Sequence, residues 1–311
     1  MIPDRSRRDG NRANPPPSHR IAGAILAYAA GDALGGPWEG LPPERIERAR
    51  VLELPAREGW PRGATSDDTA QMLLLAGVLV RNDGEFDAAT FMEELARALP
   101  TMRGTGSTTR RAVERYRRDG SLRAPDGRTN GAMMRPPPIG WRFPPEAAGE
   151  RRRATRAMTE TTHGAPEAVA TAAAVTAMAS AAIEGVGHEA LVEAALAELG
   201  TRGGVEEIGR TVAAAASGAW QPPQGGIGLD CIETLAAVVA ILRRRLPPAE
   251  SMLAAVELGG DTDTVAAIVG GLLGPRLVDP AAELPWLAEM HDTDTARVHH
   301  LAAVLAALRT R

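Results

Sequence analysis

Apolar residues recur along this chain at the spacing of an α-helix, and the strict alternation of a half-buried β-strand is nearly absent. The apolar stretches are rich in alanine and are interrupted by glycine, threonine or charge, so they do not predict membrane spans. No internal repeat of fixed period divides the chain. The sequence therefore predicts an all-α fold with one domain over residues 19–311, after a tail over residues 1–18 whose composition predicts disorder.

The charge and cysteine content narrow the possible functions. The formal net charge is -4, so the whole chain is not drawn to nucleic acid or to a membrane surface. We therefore expect no membrane partner, and nucleic acid is a disfavoured partner that a local basic patch could still bind. The single cysteine, Cys231, excludes an intrachain disulfide. With no signal peptide evident, we expect a cytoplasmic protein in which Cys231 is a buried structural thiol.

Two acidic clusters each precede an apolar helix. Asp261 and Asp263 follow two glycines and open the apolar run 265–273. Asp67 and Asp68 lie between Ser66 and Thr69 and open the apolar run 70–80. One such residue would be an ordinary N-cap, and the helix dipole favours acidic residues there, so each cluster alone could be capping. Two carboxylates in each cluster exceed what capping needs.

The two clusters predict a metal site if the two helix starts face each other. Four buried carboxylates would then need cations to offset their charge. Hard oxygen ligands suit Mg²⁺, Mn²⁺ or Ca²⁺, and a site for two divalent ions is the simplest solution. A similar string at 292–295, Asp-Thr-Asp-Thr, lacks the leading glycines, and we expect it only to cap the last helix.

Two acidic residues near the N-terminus have alternative roles. Asp32 lies in the glycine-rich run 31–36, which we expect to end a helix over residues 21–30 and to form a turn. We expect its carboxylate to accept hydrogen bonds from amides of that turn. Glu39 is either an exposed loop carboxylate or a group of the metal site, as ligand, water-orienting group or general base.

Three later stretches have features of a ligand site. The Gly104–Ser107 loop precedes a basic helix and offers amides to a phosphate, but it lacks the Walker lysine, which disfavours a nucleoside triphosphatase. The stretch 130–135 runs into three prolines at 136–138, which we expect to stop any helix. His163 lies on a predicted turn and is either a ligand contact or a surface histidine.

Taken together, these motifs resemble the ADP-ribosylglycohydrolase family, which includes the dinitrogenase reductase-activating glycohydrolases. The resemblance rests on Gly-Asp-Ala-Leu-Gly at 31–35 with Glu39, Ser-Asp-Asp-Thr at 66–69, Asn-Gly-Ala-Met-Met-Arg at 130–135, Thr-His at 162–163, and Gly-Gly-Asp-Thr-Asp-Thr at 259–264. It covers almost the whole chain from about residue 20. It implies a compact orthogonal helical bundle with two Mg²⁺ or Mn²⁺ ions.

The resemblance also implies roles for particular residues. The implied metal ligands are Ser66, Asp67, Asp68, Asp261, Asp263 and Thr264. Glu39 and the metal-bound Asp263 are alternative candidates for the catalytic base. The implied ADP-ribose contacts are Gly104, Thr105, Gly106, Ser107, Asn130, Gly131, Ala132, Met133 and His163. No adenine-stacking residue is evident, and Tyr116, Trp141 and Phe143 are the candidates.

The function implied by the resemblance is hydrolysis of the glycosidic bond between ADP-ribose and a modified protein side chain, with arginine as the default linkage. The implied partners are an ADP-ribosylated protein and ADP-ribose itself. Three alternatives remain open at this point. The chain could act on another ADP-ribosyl linkage (serine, O-acetyl-ADP-ribose or nucleic acid), could bind ADP-ribose or block a partner without turnover, or could be a purely structural bundle.

Overall fold

The computed structural model describes residues 15–201, 203–204, 206–292 and 294–311. Within these ranges the α-helices are α1 (Pro17–Gly35), α2 (Arg48–Val51), α3 (Asp67–Arg81), α4 (Ala88–Ala98), α5 (Ser107–Asp119), α6 (Gly131–Met134), α7 (Pro137–Arg142), α8 (Ala148–Glu160), α9 (Pro166–Ile183), α10 (His188–Gly200), α11 (Glu206–Ser217), α12 (Cys231–Arg243), α13 (Pro248–Val256), α14 (Thr262–Leu273), α15 (Pro280–Glu283) and α16 (Thr295–Arg309). The described residues form no strand, only the isolated bridges Thr129–Asp230 and Ile227–Gly260. The prediction of a single-domain, all-α fold is confirmed.

Three helices, α1, α9 and α14, are buried on almost every side and therefore form the centre of the bundle. All residues of α14 are buried, and α1 is buried from Arg20 to Gly35. Helix α9 is buried along nearly its whole length and packs against α7, α8 and α10. A helix that is apolar all round requires such a central position. The pair α1 and α14 makes the most extensive contact between helices; α14 carries Asp263 of the predicted metal site, and α1 carries Asp32.

Glycines bring α1 and α14 together until their backbones touch. A methyl group at Gly31 would overlap the carbonyl oxygen of Ala266, and one at Gly270 would overlap the carbonyl oxygen of Ala27. At Gly35 it would lie 2.5 Å from the Cα of Asp263. The glycines therefore fix the distance between the two helices, because side chains would hold them farther apart.

Two predictions of local structure are wrong. Helix α1 does not end in a turn at Gly31 but continues to Gly35, since its glycines serve close packing against α14. The prolines at 136–138 do not stop helix formation either. Helix α7 begins at Pro137 with Pro136 as its N-cap, and proline is tolerated at the first helical positions because those N–H groups have no partner within the helix.

The remaining predictions concern the N-terminus, the cysteine and membrane helices. Residues 1–14 of the predicted tail lie outside the described residues, so their predicted disorder stays a prediction; α1 begins at Pro17.

Cys231 is fully buried and unpaired, as expected for a structural thiol, and burial raises the pKa of its thiol to about 11. Helix α9 passes the length and composition test for a membrane span, but 83% of it is buried inside the protein, as expected for a core helix.

A glycine inside the contact between α1 and α14 and a glycine outside it should respond oppositely in stability when each is changed to alanine. Gly270→Ala should destabilise the fold by about 1–3 kcal/mol, because its methyl group meets backbone atoms that cannot move aside. Gly209→Ala in α11 meets nothing within 4 Å and should stabilise by about 0.5–1 kcal/mol through helix propensity. Chemical denaturation of both variants checks this, and equal effects would contradict the close contact.

Candidate active site

Asp32 of α1 caps the start of α3. Its carboxylate, which is completely buried, accepts hydrogen bonds from the backbone N–H groups of Ser66 at 2.9 Å and Thr69 at 3.0 Å. It also accepts from the Thr69 hydroxyl at 2.6 Å. The prediction that Asp32 binds amides of its own turn is therefore wrong, because Asp32 lies within a helix and reaches a different one. Burial raises the pKa of Asp32, and these hydrogen bonds act against that effect.

The cap leaves the two carboxylates of α3 free for another role. The Ser66 hydroxyl accepts from the N–H of Asp68 at 3.1 Å, so Ser66 and Asp32 together occupy the amides at this helix start. Asp67 accepts from the side chain of Gln71. Asp68 has one buried oxygen, Oδ2, with no hydrogen-bond partner among the described residues. A buried carboxylate oxygen without a donor is costly unless it binds something else.

The second cluster does not cap its helix in the ordinary way. Asp261 is the N-cap residue of α14, but its side chain makes no capping hydrogen bond. It accepts instead from the amide of Asn130, which also donates to the Thr234 hydroxyl at 2.9 Å. Asp263 accepts from the N–H of Thr264 at 3.0 Å. The alternative that Asp261 is only a helix cap is therefore wrong.

The glycines before Asp261 connect this cluster to the loop of Glu39. Gly260 has a φ of +73°, in the left-handed region that favours glycine, and it donates to the carbonyl of Leu41 at 2.8 Å. Gly40 donates back to the carbonyl of Gly260 at 2.8 Å. As a result, carboxylate oxygens of Glu39, Asp261 and Asp263 all lie within 4.8 Å of one another. Glu39 is half-buried and also forms an ion pair with Arg57.

The two helix starts meet at this point. Helices α3 and α14 are in contact. The charges of Asp67 and Asp261 raise the pKa of Asp68, and a hydrogen bond with the side chain of Thr264 lowers it. The acidic motifs of α3 and α14, nearly two hundred residues apart in sequence, thus form one acidic centre with Glu39 at its edge. We define the acidic centre as Glu39, Asp67, Asp68, Asp261 and Asp263.

The acidic centre is electrostatically unfavourable as a set of bare anions. Burial raises the pKa of Asp67 to about 7 and that of Asp261 to about 6, and the charge of Glu39 adds to the rise in both. Burial and like charges also raise the pKa of Asp68 and Asp263 well above the ordinary range. Such a cluster requires either protons or bound cations.

The donor set of this centre fits a hard divalent cation. Mg²⁺ and Mn²⁺ favour carboxylate and hydroxyl oxygens, and three convergent carboxylates with a further unpartnered oxygen on Asp68 provide them. The predicted ligands Ser66 and Thr264 are buried beside these carboxylates. The role of all six residues as ligands stays a prediction; convergent ligand atoms are found for Asp261 and Asp263 together with Glu39.

Five of the nine predicted ADP-ribose contacts fall into two groups; of the other four, Thr105 is buried, Gly131 is half-buried, and Gly106 and Ser107 are exposed. Gly104 and Asn130 lie at the acidic centre: a Cβ at Gly104 would be 3.4 Å from Asp67 Oδ1, and Asn130 donates to Asp261. Ala132, Met133 and His163 are completely buried behind it. His163 is not on the surface, and its ring nitrogens lie 2.8 Å from the hydroxyls of Thr129 and Thr162. Burial lowers the pKa of His163 well below its ordinary value.

Sequence reasoning missed an aromatic residue at the edge of the site. Trp60 is half-buried, and its ring lies 3.4 Å from the position of a Cβ on Gly104. The Arg57 guanidinium lies 4.4 Å from the Trp60 ring centroid and pairs with Glu39. Two of the aromatic candidates named from the sequence, Trp141 and Phe143, are buried in the hydrophobic core. The sequence feature that could have indicated Trp60 is its position between Gly59 and Pro61, because a large aromatic residue in such a loop is often held for binding.

The repeated Asp-Thr-Asp-Thr string has two functions. Asp294 caps α16 by accepting from the N–H of Arg297 at 3.0 Å, as predicted. Asp292 does not cap, which corrects the prediction for that residue. It accepts from the N–H of Thr65 at 3.1 Å and from Arg103 at 2.6 Å. Asp292 therefore joins the residue before Ser66 to the residue before Gly104.

The fold and the site together define an all-α protein with a buried carboxylate centre built from distant helix starts. A model of the ADP-ribosylglycohydrolase family matches residues 13–311, nearly the whole chain. The chain therefore belongs to the ADP-ribosylglycohydrolase family. The family supports a hydrolase of this type and is generally metal-dependent.

Individual relatives agree with this assignment. The uncharacterised protein YegU of Escherichia coli K12 is 26% identical over 94% of this chain and 98% of its own length. The ADP-ribosyl-[dinitrogen reductase] glycohydrolase of Rhodospirillum rubrum is 36% identical over 37% of this chain and 42% of its own length. A solved structure described as an ADP-ribosylglycohydrolase-related protein complex has a TM-score of 0.78 and 32% identity, covering 94% of this chain and 99% of that chain.

The raised pKa values predict an unusual pH dependence for the metal-free protein. Carboxyl groups whose pKa is higher in the folded state favour folding when protonated, and this contribution is lost as pH rises through about 6 to 7. The melting temperature in EDTA should therefore fall between about pH 5 and about pH 8, by several degrees. Asp67→Asn should flatten the slope, and Asp294→Asn should not. A metal-free melting temperature that rises over this range would contradict the buried acidic centre.

Proposed function

We propose that this protein is a metal-dependent hydrolase that cleaves the glycosidic bond between ADP-ribose and a modified protein side chain, with arginine as the default linkage. The observation that carries the proposal is the convergence of Glu39, Asp261 and Asp263 with the acidic start of α3. Membership in the ADP-ribosylglycohydrolase family supports the reaction class. A cytoplasmic location, with an ADP-ribosylated protein as partner, is part of the proposal.

The proposed cofactor is a pair of Mg²⁺ or Mn²⁺ ions. The residues that would hold them are Ser66, Asp67, Asp68, Asp261, Asp263 and Thr264. Bound divalent ions supply Lewis acidity and a template for sugar hydroxyls and water. This proposal is supported by the raised pKa values of the four aspartates and by the unpartnered oxygen of Asp68.

Glu39 is the better placed of the two candidates for the catalytic base. It is half-buried at the edge of the acidic centre, whereas Asp263 is buried within it. A general base must lie within hydrogen-bond reach of the attacking water on the substrate side. The aspartates behind it would favour the positive charge that develops on the sugar in an oxocarbenium-like transition state. Asp263 would then act as a ligand only.

Helix α5 supplies a site for the pyrophosphate. Its N-cap residue is Gly106, and no side chain caps this helix start. The first amides of α5 therefore remain open at an end with positive dipole, which is the arrangement that binds phosphate groups. Trp60, on the other side of Gly104, offers an aromatic face to a base or a sugar.

A linkage panel tests the proposed reaction. ADP-ribosyl-arginine, ADP-ribosyl-serine, O-acetyl-ADP-ribose and ADP-ribosylated nucleic acid would each be incubated with Mg²⁺, Mn²⁺ or EDTA, and free ADP-ribose measured. We expect release from the arginine conjugate with metal and none with EDTA. Release from another conjugate alone would correct the linkage, and tight binding of ADP-ribose without any release would favour a binding module.

Two variants make this assay specific for the proposed base. Glu39→Gln should lower kcat by about 10²–10⁴-fold, because it removes the proton acceptor while the four buried aspartates remain. Glu44→Gln, on an exposed 3₁₀ turn of the same loop region, serves as the control and should be unchanged. Full activity of Glu39→Gln would instead favour Asp263 as base.

Metal binding predicts a stability change that does not depend on activity. Because the ions bind only the folded site, Mg²⁺ or Mn²⁺ at about a hundred times the dissociation constant should stabilise the protein by about 3 kcal/mol. Asp263→Asn should remove most of this increase in melting temperature. Asp294→Asn changes the same Asp-Thr-Asp-Thr string where it only caps α16, and should keep the full increase. A melting curve unaffected by metal would contradict a formed site.

A further inference from the structure

Arg135 is a completely buried arginine behind the acidic centre. It follows helix α6, and its exposed fraction is 0%. Its Nη1 donates to the Thr162 hydroxyl at 2.9 Å, and its Nη2 donates to the Thr109 hydroxyl at 3.2 Å. Its Nε has no hydrogen-bond partner among the described residues. Burying a guanidinium this completely is costly, and two neutral hydroxyls and the Phe91 ring, whose centroid lies 6.0 Å away, are poor compensation for it.

The partners of Arg135 belong to the segments that carry the proposed ADP-ribose contacts. Thr109 lies in the first turn of α5, directly after the Gly104–Ser107 loop. Thr162 precedes His163, and Arg135 itself follows the segment 130–134. The planar guanidinium of Arg135 thus connects all three segments. A lysine, with a single ammonium group, could not donate in these fixed directions equally well.

A chain of hydrogen bonds continues from Arg135 to the acidic centre. Because the Thr162 oxygen accepts from Arg135, its hydroxyl proton is free to point at His163 Nδ1, 2.8 Å away. His163 would then carry its proton on Nε2 and donate to the Thr129 hydroxyl at 2.8 Å. Thr129 is the neighbour of Asn130, whose amide donates to Asp261.

The charge of Arg135 also acts on the acidic centre. After burial, the positive charge of Arg135 is the largest influence on the pKa of Asp67, and it lowers that pKa. No carboxylate lies within ion-pair distance of Arg135 among the described residues. Arg135 is therefore an interior cation that acts on Asp67 through its charge without forming a direct ion pair.

We propose that Arg135 is a positioning residue: through Thr109 and Thr162 it holds the three ADP-ribose segments in register and fixes His163 as the Nε2–H tautomer. This inference rests on the proposed function for the identity of the ligand, but the tautomer is independent of it. Arg135 does not touch substrate in this arrangement. Its loss should weaken binding of ADP-ribose more than it slows the chemical step.

Imidazole ¹⁵N NMR measures the tautomer directly. The protein has six histidines, and the spectrum of His163→Gln assigns the His163 signal by its disappearance. We expect the neutral Nε2–H form in the wild-type protein. Thr162→Val leaves the unprotonated Nδ1 without a donor, so its ¹⁵N resonance should move to the position of a ring nitrogen that accepts no hydrogen bond while the proton stays on Nε2, whereas Thr162→Ser keeps the hydroxyl and should keep the wild-type signal. A wild-type Nδ1–H form, or no change in Thr162→Val, would overturn the proposal.

Calorimetric binding of ADP-ribose and steady-state kinetics test the positioning effect. Arg135→Lys and Thr162→Val should raise the dissociation constant and KM about tenfold, as for loss of one charge-assisted hydrogen bond, with a smaller change in kcat. Thr162→Ser should restore both constants. Unchanged constants in both Arg135→Lys and Thr162→Val would overturn the proposal even if the tautomer behaves as expected.

Arg309→Lys provides a matched control. Arg309 is also a buried arginine, but it donates to the carbonyls of Gly140, Trp141 and Ser180 and pairs with Glu184, away from the acidic centre. This variant should lower the melting temperature while leaving the His163 tautomer and the ADP-ribose affinity unchanged. Equal losses of affinity in Arg309→Lys and Arg135→Lys would reduce Arg135 to a structural residue. If the wild-type protein neither binds nor releases ADP-ribose, the proposed function fails, and the NMR spectra still decide whether His163 is held as the Nε2–H tautomer.

Discussion

The capping of one helix by a carboxylate from another is the interaction on which the acidic centre depends. A helix start needs acceptors for its first amides, and the acidic residues at the start of α3 would ordinarily supply them. Asp32 of α1 takes that role together with Ser66, so Asp67 and Asp68 are left to face Asp261 and Asp263. Asp67 and Asp68 can add their charge to this centre because the first amides of α3 already have acceptors in Asp32 and Ser66.

Small residues make this arrangement rigid. Backbone contact between α1 and α14 holds Asp32 and Asp263 at a fixed separation, and the left-handed Gly260 joins the Glu39 loop to the same place. The groups around this centre are themselves buried: Asn130, the residue before α6, donates to Asp261, and Arg135 follows the same helix. A metal site needs ligands that keep their positions when the ions leave, and helices in backbone contact meet this requirement better than loops.

The helical fold and all members of the acidic centre could be predicted from the sequence because short stretches of sequence carry both signals. Helical spacing shows in short windows, and surplus carboxylates at two helix starts are visible without coordinates. The partners of particular groups were not predictable in this way. Glycines at 31–35 suit a turn and a close helix contact equally well, so α1 was predicted too short. Asp292 and Asp294 stand in the same string, yet one joins two loops and the other caps. Trp60 has no characteristic spacing, and Arg135 ends the motif at 130–135 without a signal for its partners, so the surroundings of both follow only from the packing of distant segments.

The order of the acidic residues along the chain has a consequence for biosynthesis. Asp32 and the start of α3 leave the ribosome early, while α14 follows near the end of translation. Until α14 emerges, the nascent chain holds only half of the proposed oxygen ligands and lacks the helix that covers α1. In the proposed metal site, ion capture would therefore follow the synthesis of α14, and shorter products of translation would be unable to hold divalent ions.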